Sequence, residues 1–88
     1  MDEIYLNGKF ISRSNAQISI MDRGFLFGDG VYELIPVYNK KIFLLHKHLN
    51  RLKNSLNLIG MSDISDLEDI IKQLISRNSS KNFFIYLH

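Results

Sequence analysis

Three glycines stand close together at Gly24, Gly28 and Gly30, and they constrain the fold more than any other feature of this chain. They belong to residues 21–33, which lead directly into a run of β-branched and aromatic side chains. Glycine loses more conformational freedom on folding than any other residue, so this concentration is costly in an ordinary loop. The segment therefore predicts a sharp bend, or a close approach of another group to the backbone, just before a strand.

The chain on both sides of this segment predicts antiparallel hairpins. Asn7-Gly8 separates two short apolar runs, which favours a type I′ turn. Residues 31–38 are rich in sheet-forming side chains and predict a strand, although Pro36 cannot donate to a ladder and belongs at an edge or a bulge. Residues 42–44 return beside that strand. Residues 17–21 alternate in polarity and predict a further short strand, with a turn or irregular stretch after it.

Two amphipathic helices follow the hairpins. Apolar residues recur at three- and four-residue steps from Leu45 to Ile59, and Gly60 is suited to end this helix. A second apolar stripe runs from Leu67 to Ile75, and Ser65-Asp66-Leu67-Glu68 has the pattern of a capping box. Residues 83–87 predict a last strand. We therefore expect an α+β fold in which an antiparallel sheet of hairpins carries two helices packed on one face.

Composition limits the classes of protein to which the chain can belong. Its 88 residues predict a single domain, residues 1–88, and hydrophobic and charged contents of 45% and 23% are ordinary for a globular protein. Cysteine is absent, which excludes disulfides and thiolate metal sites. No set of side chains has the spacing of convergent metal ligands, so we expect no bound metal. The start lacks the features of a signal peptide and no apolar run is long enough to span a bilayer, so we expect a cytoplasmic protein without a membrane partner.

Candidate binding residues lie on one flank of the first long helix. Helical spacing brings His48, Arg51 and Ser55 onto neighbouring turns beside the leucine stripe. Arg51 is open to two interpretations, a solvent-facing arginine or one whose planar fork meets a phosphate. His48 is either a structural histidine or a residue that supports Arg51 from behind. The modest net charge of +2 is typical of a solvated helix face and does not favour a nucleic-acid partner.

The strand before that helix supplies the other candidates. Tyr32 is open to two interpretations, half-buried packing or a phenol offered to a ligand. By the two-residue period of a strand, Leu34 and Pro36 share the face of Tyr32, and they either pack or line a pocket. Glu33 should point to the opposite face, and we do not expect it to act as a catalytic acid.

Residues 21–33 and the motif His48-x-x-Arg51-Leu52 together resemble the N-terminal small domain of the fold-type IV pyridoxal-phosphate enzymes. Within them, Gly-Val-Tyr-Glu followed by Ile-Pro-Val-Tyr is most similar to the D-amino acid (D-alanine) aminotransferases. The resemblance implies that Arg51 binds the 5′-phosphate of pyridoxal 5′-phosphate and that Tyr32 helps to hold the substrate carboxylate. It also makes Leu34 and Pro36 candidates for shaping the substrate pocket.

The resemblance further implies a catalytic C-terminal domain, beyond residue 88, that carries the Schiff-base lysine and the acidic partner of the cofactor ring. We therefore expect no catalytic residue in this chain and no transamination by the chain alone. A complementary domain or chain is the expected partner, with a D-amino acid and a 2-oxo acid as substrates. Self-association through an exposed docking face, for example as a dimer, is also expected.

Three alternatives stay open at this point. Branched-chain aminotransferases and aminodeoxychorismate lyases share the architecture, so the chain could be part of either. A non-catalytic remnant that acts as an interaction module is the second alternative. A small basic nucleic-acid binder is the third, and it predicts retention on nucleic acid that depends steeply on salt.

Overall fold

The computed structural model describes residues 3–88, which form two compact units. The first unit contains the described residues up to Ser19 together with Ile64–Ser80, and the second contains Ile20–Asp63 and Lys81–His88. The elements in chain order are β1 (Glu3–Leu6), β2 (Lys9–Ser12), a 3-10 turn (Arg13–Asn15), α1 (Arg23–Phe27), β3 (Glu33–Tyr38), β4 (Lys41–Ile42), α2 (Leu45–Leu58), α3 (Leu67–Arg77) and β5 (Phe83–Leu87). The α+β class with antiparallel strands is confirmed, and the strands are divided between two sheets. That residues 1–88 form one domain stays a prediction.

The first unit is a hairpin with one helix. β1 and β2 pair antiparallel through the predicted turn, in which Asn7 and Gly8 both have positive φ, +50° and +87°. Positive φ at both central residues is the signature of a type I′ turn, which confirms the prediction. α3 lies against β1 and buries Ile71 and Ile75 on its apolar stripe.

A buried asparagine joins the end of α3 to β1. The Asn78 side chain accepts a hydrogen bond from the Glu3 backbone N–H at 3.3 Å and donates to the Glu3 and Leu74 carbonyls at 3.3 and 2.9 Å. It thereby satisfies backbone groups at the edge of the hairpin. The neighbouring Arg77 guanidinium stacks on the Phe10 ring, 4.2 Å from its centre, and pairs with the Glu3 carboxylate.

The second unit is a three-stranded antiparallel sheet in the order β4-β3-β5, with α2 against β3. The strict alternation of β3 places Ile35 and Val37 on the buried face, both with no exposed surface. Leu45, Leu52 and Leu56 of the predicted stripe are buried in α2. Leu49 is half-buried, and Ile59, the predicted last member of the stripe, follows the helix and is exposed. Gly60 follows α2 with φ +75°, the left-handed conformation expected after a helix. Among the described residues, no helix has the length and apolar character needed to cross a bilayer.

Several local predictions were wrong. Pro36 lies in the central strand β3, opposite Phe84 in an unbroken register, and not at an edge or a bulge, because β4 pairs only with Val37 and Tyr38. Residues 17–21 form no strand, because no neighbouring strand pairs with them, and Ile18 and Ile20 are exposed. Residues 22–30, predicted as turn or irregular, contain α1. This short helix is begun by the Asp22 side chain, which accepts a hydrogen bond from the Gly24 N–H at 2.8 Å, and it ends at Gly28 with φ +69°.

The last of these errors is the capping box before α3. Asp66 directly precedes the helix in the left-handed conformation, with φ +59°, and its side chain makes no capping bond. A capping side chain needs an extended backbone at that position, so the Ser65 to Glu68 pattern is present without its geometry.

Candidate functional site

Glu33 is a buried carboxylate at the first position of β3. It lies on the same face of the sheet as Ile35 and Val37, and only 4% of its surface is exposed. An isolated carboxylate is costly in such surroundings, because burial removes water without supplying other donors. Glu33 therefore requires cationic or hydrogen-bonding partners, and α2 supplies them.

Two side chains of α2 converge on Glu33. The Arg51 Nε donates to Oε2 at 2.9 Å, and the Arg51 Nη2 donates to Oε1, so that one edge of the guanidinium binds both carboxylate oxygens. The His48 Nδ1 lies 2.6 Å from Oε1. Because a carboxylate can only accept, this contact needs the proton on Nδ1, and the 3.4 Å contact between Arg51 Nη2 and the same nitrogen is then not a hydrogen bond.

These contacts determine the charge of the pair. The hydrogen bond from Arg51 is the main reason that the pKa of Glu33 lies below its ordinary value. Burial acts in the opposite direction, and the hydrogen bond from His48 adds to the lowering. In turn, the Glu33 carboxylate raises the pKa of the Arg51 guanidinium, with a smaller electrostatic contribution from Tyr32. Glu33 is thus a carboxylate and not a proton donor at neutral pH.

The ion pair runs from the interior to the surface. The side chain of Glu33 is 4% exposed and that of His48 14%, whereas that of Arg51 is 67% exposed. Two of the five N–H groups of Arg51 are bound to Glu33, so three remain, including the pair on the Nη1–Nη2 edge. The arrangement presents the Nη1–Nη2 edge of the guanidinium, in a fixed orientation, to an anion in solvent.

Tyr32 and Arg51 lie at the same end of β3, because Arg51 binds Glu33, the residue directly after Tyr32. The tyrosine precedes the strand and is not its second residue, which corrects the predicted start of the strand at residue 31. Its ring is 68% exposed and stands 6.2 Å from the ring of Tyr86, centre to centre. Tyr86 in turn pairs with Leu34 across the sheet.

The outer face of this sheet, defined by Leu34, Pro36, Phe84 and Tyr86, is apolar and open. Leu34 pairs with Tyr86 and Pro36 with Phe84, and none of the four is buried. Leu34 and Pro36 therefore share the side of the sheet next to Tyr32, as the two-residue period predicts. β3 thus separates the charged cluster on its inner face from an apolar wall on its outer face.

The glycine segment approaches the end of β5. A Cβ added at Gly30 would lie 3.1 Å from the His88 Nε2, so the imidazole packs directly over this backbone. The ring of His88 also contacts that of Tyr86, with 5.8 Å between centres. Before it, α1 is braced by Arg23, which pairs with Asp29 at 2.7 Å and stacks on Phe27.

The sequence identified Arg51, His48 and Tyr32, and the structure brings all three to one end of β3. The sequence did not predict the role of Glu33, whose carboxylate links Arg51 and His48. The available signal was a carboxylate at an inward position between apolar neighbours, which demands a cationic partner. Residues 3–88 contain no group of three or more histidine, aspartate or glutamate side chains able to hold a metal ion.

Comparison with known proteins identifies a family whose model matches this chain. The model of the family described as amino-transferase class IV matches residues 30–88, which include the whole candidate site. D-alanine aminotransferase of Staphylococcus aureus (strain MSSA476) is 40% identical over 90 residues, which cover 99% of this chain and 32% of that protein.

Two further relatives carry the same name. D-alanine aminotransferase of Bacillus licheniformis is 38% identical over 89 residues, covering 97% of this chain and 31% of its own length. That of Staphylococcus haemolyticus is 34% identical over 90 residues, covering 99% and 32%. The chain therefore spans about a third of the length of the curated relatives it matches.

Proposed function

The chain belongs to the class IV aminotransferase family, and we propose that it supplies the phosphate-binding arginine and one wall of the substrate site of a D-amino acid aminotransferase. The complete enzyme would exchange an amino group between a D-amino acid, such as D-alanine, and a 2-oxo acid. The relatives named D-alanine aminotransferase support this activity over a branched-chain aminotransferase, an aminodeoxychorismate lyase or a non-catalytic module.

One observation carries the proposal: Arg51 is fixed on its inner edge and exposed on its outer edge. The phosphate group of a cofactor needs cationic hydrogen-bond donors that are accessible from solvent. The three N–H groups of Arg51 that do not bind Glu33 are such donors. Pyridoxal 5′-phosphate therefore fits the residues of this site at its phosphate end. When bound, this cofactor supplies the electron sink that transamination needs.

The other residues of the chain have binding and shaping roles. Tyr32 offers a neutral phenol that can donate to a substrate carboxylate without burying a further charge. Leu34 and Pro36 present apolar surface beside it and would limit the size of the substrate side chain. His48 holds Glu33 from behind and would not touch the ligand.

We infer that a complementary part provides the remaining groups, including the lysine that binds the cofactor, since the matched relatives are about three times as long as the chain. A cytoplasmic location and a dimer are part of the same proposal. The resemblance implies the dimer, and the absence of cysteine from the chain is compatible with the cytoplasm.

A chimaera tests the function directly. The 88 residues would replace the 90 matched residues of the Staphylococcus aureus D-alanine aminotransferase, and transfer from D-alanine to 2-oxoglutarate would be measured. We expect activity in the chimaera, and we expect Arg51→Ala to weaken retention of pyridoxal 5′-phosphate by about 10- to 100-fold, since hydrogen bonds to charged groups contribute about 1.5–3 kcal/mol.

Arg13→Ala is the matched control, because it removes the same charge from an exposed position in the other unit. It should leave cofactor retention unchanged. A folded chimaera that retains the cofactor equally well with and without Arg51 would contradict the assignment of the phosphate site. A chimaera that binds the cofactor but acts only on L-amino acids would favour the branched-chain alternative.

A further inference from the structure

We propose that Glu33 is a positioning residue, which holds the Arg51 guanidinium in the one orientation that offers its Nη1–Nη2 edge to an anion. The inference rests on the proposed phosphate-binding role of Arg51 and goes beyond it. It assigns a function to a buried carboxylate whose two oxygens are bound by Arg51 and His48 and which the sequence did not single out.

The geometry supports positioning because Glu33 uses both of its oxygens on one edge of the fork. A long arginine side chain on a helix surface normally samples many rotamers, and binding a ligand then costs conformational entropy. Here the Nε and Nη2 contacts fix both the place and the rotation of the guanidinium plane. A fork held in this way is preorganised for a bidentate partner.

His48 makes the holding group itself rigid. The His48 Nδ1 binds Oε1 at 2.6 Å while Arg51 binds both oxygens, so three hydrogen bonds fix the carboxylate. The charged or titratable groups that face Glu33 are Arg51 and His48 from α2, with Tyr32 adjacent in the chain. From β5 the opposite residue is the apolar Leu87.

An electrostatic role and a positioning role for Glu33 predict opposite changes in phosphate affinity when the carboxylate is neutralised, so the direction of the change tests the inference. A carboxylate close to an anion site repels the anion, so a purely electrostatic role for Glu33 means that its neutralisation strengthens phosphate binding. A positioning role means that neutralisation weakens binding, because the fork loses its fixed orientation. The two roles cannot give the same result.

The first experiment titrates the 88-residue chain with inorganic phosphate and follows the Arg51 side-chain signal by NMR. We expect Glu33→Gln to weaken phosphate binding about tenfold. Glu68→Gln is the matched control, because it removes the same charge from a half-exposed position on α3. It should change the affinity by less than about twofold. Equal or tighter binding by Glu33→Gln would overturn the inference.

The second experiment needs no ligand, and its main measurement uses only the unmodified chain. The Arg51 Nε–H, bound to Glu33, should exchange with solvent at least tenfold more slowly than the Nε–H of the exposed Arg13. Exchange at the same rate in the unmodified chain would overturn the inference even if Glu33→Gln failed to fold. Glu33→Asp keeps the charge on a shorter stem, and partial recovery of this protection relative to Glu33→Gln is expected.

The two proposals fail in different ways. If the unmodified chain does not bind phosphate, the proposed function fails at Arg51, and the slow exchange of its Nε–H still decides whether Glu33 holds it. If the chain binds phosphate and Glu33→Gln binds it as tightly, the proposed function stands and the positioning role is refuted.

Discussion

At the scale of the residue, the site depends on the contrast between a buried acid and an exposed base. Glu33 is almost fully buried, yet it remains ionised because Arg51 and His48 satisfy both of its oxygens. Removing the Arg51 guanidinium would leave the Glu33 carboxylate buried without its main cationic partner, which destabilises the fold. The same contacts that stabilise the acid give Arg51 a defined orientation at the surface.

This pair predicts acid sensitivity of the fold. The pKa of Glu33 in the folded chain lies below the ordinary value of 4.5, mainly through the hydrogen bond from Arg51. Its contribution to stability is therefore complete above the unfolded pKa and is lost as the pH falls through the folded pKa, because the unfolded chain then binds the proton more readily. We expect the free energy of unfolding, measured with urea, to fall as the pH drops below about 4.5.

The variant Glu33→Gln separates this contribution from that of other acids. It should be less stable than the unmodified chain at neutral pH, and the difference should shrink as the pH is lowered. Glu68→Gln, which removes a half-exposed carboxylate paired with Lys72, should leave the pH profile nearly unchanged. A constant difference between Glu33→Gln and the unmodified chain at all pH values would contradict this interpretation.

At the scale of the element, regular periodicity predicts the structure better than short local motifs do. The leucine stripe of α2 and the alternation of β3 each match a repeating burial pattern over many residues. By contrast, the capping box at residues 65–68 depends on one backbone conformation, and Asp66 adopts the left-handed one. Predictions from short motifs are less reliable, because the backbone conformation of a single residue can abolish the geometry on which the motif depends.

Asn78 shows how an element end is tied to a strand. Its buried amide makes three hydrogen bonds, two of them to the backbone of Glu3 and one to that of Leu74. We expect Asn78→Ala to lower the free energy of unfolding by about 1–3 kcal/mol, because buried backbone groups would lose their partners. Chemical denaturation monitored by circular dichroism measures this loss.

The control for Asn78 is Asn54→Ala, at an exposed position of α2. It should leave the stability within about 0.5 kcal/mol or raise it slightly, because alanine favours the helix. Equal effects of the two substitutions would show that helix propensity, and not the hydrogen bonds to β1, governs the effect at residue 78.

At the scale of the whole molecule, the outer face of the second unit's sheet is an open apolar wall. Phe84 and Tyr86 are 58% and 60% exposed, and Leu34 is 46% exposed. Contiguous exposed apolar surface of this kind favours association. It is also the surface that the proposed function assigns to the substrate site.

We expect the 88-residue chain to self-associate at high concentration and Phe84→Lys to reduce this association without loss of stability. Light scattering with denaturation curves measures both properties. Leu58→Lys is the matched control, since Leu58 is 86% exposed but lies at the end of α2 and not on the outer face of the sheet. Association that persists in Phe84→Lys but not in Leu58→Lys would refute the role of this wall.

The sequence by itself determined the α+β class, the hairpin turn at Asn7-Gly8, the burial stripe of α2 and the candidates Arg51, His48 and Tyr32. The class, the turn and the stripe follow from periodicity and from residue types whose conformational preferences are local. The three candidates rest on the resemblance of their motifs to a known family, because spacing alone leaves each of them open to a structural interpretation. Only the tertiary structure decided that residues 17–21 lack a strand partner and that the charge of Glu33 is matched by Arg51 and His48. Strand pairing and ion pairing join residues that are distant along the chain, so their partners depend on how the elements pack and not on local sequence.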